Sequence, residues 1–195
     1  MSVEEAALRE IEQRAERVLA GVPSWIWDGE RLPVPIEDIA DSCFGLLVRD
    51  LDELGAAPGA PMLESGQSLS GLLLPDRGEI WVSASEGAAW PGRRRFTIGH
   101  ELGHWCMHRA GDGAVFCRST SIEPPETEVA PVERPPPPPT EEEANVFAAS
   151  LLMPAHLVQR HYEPGCDFFA LCERFGASGA AMGRRLHAVV PKAES

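Results

Sequence analysis

His100-Glu101-Leu102-Gly103-His104 is the stretch on which the reading of this chain turns. On an α-helix, residues four apart project from one face about one turn apart, so two imidazoles can grip one metal ion while the intervening carboxylate stands beside it. The spacing suits hydrolysis. Zinc lowers the pKa of a bound water to roughly 7, and a neighbouring Glu can take the water's proton as it attacks a carbonyl. Three fixed letters recur by accident, however, so the surrounding sequence has to carry the assignment.

A catalytic zinc takes three protein ligands, and this helix offers two. One common extension of the motif needs Gly and His at positions 107 and 110, where Met107 and Ala110 stand. His108 would place ligands on three successive turns of one straight helix, which a single ion cannot span; it reads instead as a charge favourable at a helix end. The other common solution is a Glu from a later helix, and Glu141, Glu142 and Glu143 open such a segment. Its apolar stripe of Ala144, Phe147, Ala148 and Leu151, continued back three residues, reaches Glu141. Glu142 lies about 100° off that stripe and Glu143 about twice as far, and Glu143 also completes a capping box with Thr140. Glu141 is therefore the candidate third ligand. Asn145 follows it by four residues on the same face. There it either accepts a hydrogen bond from the outer ring nitrogen of a metal-bound histidine or bonds the backbone.

The 195 residues suffice for one domain with a real core, and we take 1–195 as a single unit. Residues 1–90 read as N-terminal helices and a small sheet: a first amphipathic helix on Leu8, Ile11, Ala15, Val18 and Val22 with Ser2 and Glu5 as a capping box, and a second from Pro35 to Gly45. Short apolar runs follow at 46–51, 69–74 and 79–83, the last two joined by the turn Pro75-Asp76-Arg77-Gly78. The motif helix is expected over 91–110, a proline-rich flexible loop over 118–140, and the ligand helix with a C-terminal helical cap over 141–190. Within that cap, Phe175-Gly176-Ala177-Ser178 has the length and turn of a helix-turn-helix, but only a mildly basic second helix, which favours a cap over DNA binding.

A net charge of -13 and a pI near 4.8 exclude a basic grip on nucleic acid or an anionic membrane. No signal-like start and no run of 18 apolar residues is present, so a cytoplasmic location is expected. Five cysteines without a C-x-x-C pair indicate neither a disulfide framework nor a zinc ribbon, and are expected to be reduced, mostly buried and inert. Gly99 and Gly103, four apart on the motif helix, imply a close backbone approach or room for metal and substrate. Arg93, Arg94 and Arg95 stand near the positive end of that helix and need acidic partners. Trp105 and Cys106 are expected in the core, and His156, His161 and Tyr162 as surface or packing residues that could otherwise reach a cleft.

Arg95-Phe96-Thr97-Ile98-Gly99-His100-Glu101-Leu102-Gly103-His104 and Glu141-Glu142-Glu143-Ala144-Asn145-Val146-Phe147-Ala148-Ala149-Ser150-Leu151-Leu152-Met153-Pro154 together resemble the ImmA/IrrE family of zinc metallopeptidases. The resemblance implies an α+β fold, with a small, mostly antiparallel sheet packed on a zincin-like helical core and C-terminal helices. It also implies a gluzincin-like site holding one Zn2+ on His100, His104 and Glu141, with Glu101 as catalytic base. The oxyanion stabiliser is not identified by either route. Members are intracellular proteases that typically cleave a helix-turn-helix repressor, so the implied partner is such a repressor, with no direct nucleic acid contact and no membrane. The alternative is a non-catalytic, zinc-containing regulatory or antitoxin-like module that binds a repressor or toxin. The proline-rich stretch between the two blocks is longer than the family pattern implies.

Overall fold

The computed structural model describes residues 3–56, 67–108, 116–121 and 138–190. Helix α1 (Val3–Ala20) buries Ile11, Ala15 and Leu19 and leaves Leu8 exposed; its expected cap at Ser2 lies outside the described residues. Helix α2 (Ile36–Phe44) buries Ile36, Ile39 and Ala40, and Gly45 ends it at φ 66°, a left-handed conformation that side chains resist.

Strands β1 (Leu47–Leu51), β2 (Gln67–Leu74) and β3 (Glu79–Ser83) follow, and the turn between β2 and β3 closes through Gly78 at φ 63°. The sheet order among the described residues is β1-β3-β2-β4, where β4 is Phe116–Ser121. β1 pairs with β3 in parallel, and β2 pairs antiparallel with both β3 and β4, so the sheet is mostly antiparallel as expected. β2 is central, and Leu69 to Leu74 are all buried because both its faces are covered. β4 corrects the expected loop boundary: residues 118–121 are strand, held by main-chain pairing to β2 that no local pattern announces. The rest of that loop, 122–137, lies outside the described residues. Helix α3 (Ala84–Ala89) was also not anticipated; Ser83 caps it by accepting from the Glu86 N–H at 3.3 Å.

Helix α4 (Pro91–Met107) carries the motif, and α5 (Pro139–Leu152), α6 (Ala155–His161), α7 (Phe168–Phe175) and α8 (Gly179–Val189) complete the chain. α4 packs on β2 and β3 on one side and on α5 on another, while α1 covers α5. Thr97 to His104 are buried without interruption, so α4 is enclosed around its whole circumference. Four pairs at i, i+4 then serve four faces: Thr97 and Glu101 face β2, Ile98 and Leu102 join the apolar core, Gly99 and Gly103 meet α5, and His100 and His104 face the metal cluster.

The glycine face sets how closely α5 approaches. A Cβ on Gly103 would stand 3.2 Å from Ala144 Cα and 3.3 Å from its carbonyl oxygen, and one on Gly99 would stand 3.4 Å from Ala148 Cβ. Backbone, together with the Phe147 ring at 3.2 Å, is in the way at 103. Gly103→Val is therefore expected to lower stability by about 1–3 kcal/mol, the usual cost of overpacking, visible as a lower denaturation midpoint.

The capping box expected at Thr140 and Glu143 is not formed. Pro138 is the N-cap of α5 and makes no side-chain cap bond. Consecutive prolines deliver the chain with φ already near the helical value, and Pro139 lacks only an N–H that a first turn leaves unpaired anyway. Glu143 is thereby released to bond His108.

The α7–α8 corner behaves as a cap. Leu171, Phe175 and Met182 join the core cluster, and the buried Arg185 donates to Met153 O at 2.8 Å and to Glu12 at 2.6 Å, so a basic residue of α8 is consumed inside the fold. Of the cysteines whose burial is described, only Cys172 is fully buried and Cys43 is exposed, which corrects the expectation that most are buried. Trp105 and Cys106 pack against the core, and burial pushes the Cys106 thiol up to about 12 despite the opposing charge of Arg14.

Candidate metal centre

Helix periodicity brings His100 and His104 to one face of α4 with their Nε2 atoms 3.0 Å apart. The first turn of α5 adds Glu141, whose Oε2 lies 3.3 Å from His100 Nε2 and whose Oε1 lies 3.1 Å from His104 Nε2. One donor atom from each of the three side chains falls within 4.8 Å of the others. The histidines are buried; the Glu141 side chain retains 22% exposure, so the cluster sits at the floor of an opening rather than in a sealed core. Burial works against the charge on Glu141, but hydrogen bonds and attraction from His100 and His104 outweigh it and hold the carboxyl down at about 2. Glu141 thus presents an anion to the two imidazole nitrogens. Two nitrogens and a carboxylate oxygen converging in this way suit a four-coordinate zinc with one position left for water or substrate. Glu142, by contrast, is exposed, as its place off the apolar stripe requires.

Asn145, one turn into α5, places Oδ1 at 3.0 Å from His100 Nδ1. Of the two roles open to it from the sequence, the structure shows contact with the histidine. If His100 Nδ1 carries the hydrogen and donates to this oxygen, its Nε2 keeps a lone pair for the metal.

Glu101 is fully buried on the neighbouring face of α4, against β2. A Cβ on Gly71 would stand 2.4 Å from Thr97 Cγ2 and 3.0 Å from Glu101 Oε1. The sheet therefore comes this close to the motif carboxylate only because residue 71 has no side chain, and the β2–β4 register shifts at this same point, between Leu69 and Gly71. Gly71→Ala is expected to push Thr97 and Glu101 off β2 and to lower stability by roughly 1–3 kcal/mol, read as a lower denaturation midpoint. Sequence reasoning did not single out Gly71, although a lone glycine in a strand pattern is the usual sign of close approach.

The arginines that open α4 find their partners outside this cluster. Arg93 pairs with Glu86, and Arg94 bonds Asp50 at 2.7 and 2.9 Å and also pairs with Glu37, so the acid-rich first half supplies the partners the helix start needed. The Arg94 guanidinium in turn holds the Asp50 carboxyl below its usual range, against the opposing effect of burial. Arg95 donates to Val34 O. His156 is exposed, His161 packs edge-on to Phe175 with burial depressing its pKa, and Tyr162 lies against the core.

A buried H-E-x-x-H helix, a carboxylate that joins its two histidines from a second helix, and a small mixed sheet define a metallopeptidase-type protein. Residues 77–187, more than half of the chain, match the family described as IrrE N-terminal-like domain, Peptidase_M78, and the chain belongs to that family. A search of curated proteins finds no match. Among the described residues no helix is long and apolar enough to cross a membrane.

Proposed function

We propose that the protein is a zinc-dependent endopeptidase of the cytoplasm that cleaves a helix-turn-helix transcriptional repressor. The observation that carries the hydrolytic reading is the convergence of His100, His104 and Glu141 beside the buried Glu101. Zinc, when bound, supplies Lewis-acid polarisation of the scissile carbonyl and a water that is acidic near neutral pH. His100, His104 and Glu141 would hold the ion. The Glu101 carboxylate takes the proton of the attacking water and passes it to the amine that leaves, so the carbon–nitrogen bond breaks without expelling an amide anion.

The repressor target follows from the family resemblance, and the net charge of -13 weighs against direct nucleic acid contact. Incubating the protein with candidate helix-turn-helix repressors, with and without a chelator, and weighing the fragments tests both parts of the proposal. Two fragments whose masses sum to the partner plus one water, formed only with zinc, support it. Association without a cut favours the regulatory or antitoxin-like module instead.

A further inference from the structure

We propose that His108 and Glu143 are positioning residues of the metal centre, forming with His104 a hydrogen-bonded chain that fixes which nitrogen of His104 is offered to the metal. The inference rests on the reading of His100, His104 and Glu141 as zinc ligands. His108 is the C-cap of α4, and its backbone N–H bonds His104 O at 2.9 Å, which places its ring one turn beyond that of His104. His104 Nδ1 lies 3.0 Å from His108 Nδ1, and His108 Nε2 lies 2.7 Å from Glu143 Oε2.

The chemistry of the three groups gives the chain a direction. A carboxylate only accepts, so the hydrogen between His108 and Glu143 sits on His108 Nε2. A neutral His108 so protonated has a bare Nδ1, which accepts from its neighbour, and the hydrogen between the two rings then belongs to His104 Nδ1. His104 Nε2 is left with its lone pair, and Nε2 is the atom that faces His100 and Glu141. The chain thus selects the tautomer a metal requires.

It also joins the two helices of the centre, because Glu143 stands on α5 two residues from Glu141. The two histidines have different supports: His100 the amide of Asn145, and His104, through a second imidazole, the carboxylate of Glu143. The His108 side chain is 11% exposed, so little water competes for its ring, whereas Glu143 at 44% is open enough to be replaced without disturbing the core.

Zinc affinity measured on the full-length protein by competition with a chromophoric chelator, together with the absorption spectrum of the cobalt-loaded protein, tests the chain. His108→Ala is expected to weaken zinc about 10–100-fold and to alter the cobalt bands. Glu143→Gln should weaken it less, and the double variant should be no weaker than His108→Ala, since Glu143 acts only through His108. His108→Asn, which restores an acceptor near the lost Nδ1, should recover part of the affinity. Should His108→Ala fail to fold, Glu143→Gln carries the test alone. Wild-type affinity and spectrum in the variants, or additive losses in the double variant, overturn this inference and leave the ligands standing. A wild-type chain without stoichiometric zinc overturns the ligand reading, and this inference with it.

Discussion

Glu101→Gln is expected to retain one zinc per chain and to slow cleavage by about 10²–10⁴-fold, the range for a positioned general base. The amide has nearly the shape of the carboxylate, so the packing against Gly71 and Thr97 is preserved, and Glu101 is not among the three converging ligands. What the amide lacks is the ability to take a proton. Zinc content by elemental analysis and the rate of fragment formation are the two readouts, and they must part company. Full activity in the variant would remove Glu101 from the mechanism. Loss of zinc together with activity would mean that this carboxylate holds the ion, directly or through the helix.

The elements that the sequence placed well are those governed by local rules. The second helix ends at Gly45 and the hairpin turns at Gly78, each with the positive φ that its glycine permits. Glu141 was separable from Glu142 by counting along a helix, because one face of α5 is apolar and the motif helix must lie on it. The elements missed depend on distant partners. β4 exists through its pairing with β2, more than forty residues away in sequence, as the match of Gln67 to Ser121 shows. A strand of that kind has no signature beyond a short run of suitable residues.

Glu143 shows a local rule losing to a tertiary one. Thr140 and Glu143 have capping-box spacing, yet the prolines start the helix two residues earlier and His108 offers Glu143 a charge-assisted partner at 2.7 Å. The same competition hid the role of His108. Judged along its own helix it is a poor ligand and a reasonable C-cap; only α5, folded against it, shows that its ring lies between the Glu143 carboxylate and His104. Gly71 was overlooked for a related reason, since its neighbour is a side chain of α4 rather than anything in its own strand.

Removing zinc is expected to lower the thermal midpoint by roughly 8–16 °C, the second large effect. An ion that binds only the folded chain stabilises it by about 4 kcal/mol when free zinc is a thousandfold above the dissociation constant, and for a chain of this size each kcal/mol moves the midpoint by about 2–4 °C. The site is built to make that coupling strong. Two of the converging side chains stand on α4 and the third on α5, so an ion bound there would join the two helices whose contact the Gly99 and Gly103 face creates. Unfolding separates them by about forty residues of chain and dissolves the site. Scanning calorimetry with and without chelator measures the shift. Glu101→Gln should show it in full, because its ligands are intact, whereas His104→Ala should melt at one temperature in both conditions. A wild-type midpoint that does not respond to chelator would mean that no ion bridges α4 and α5.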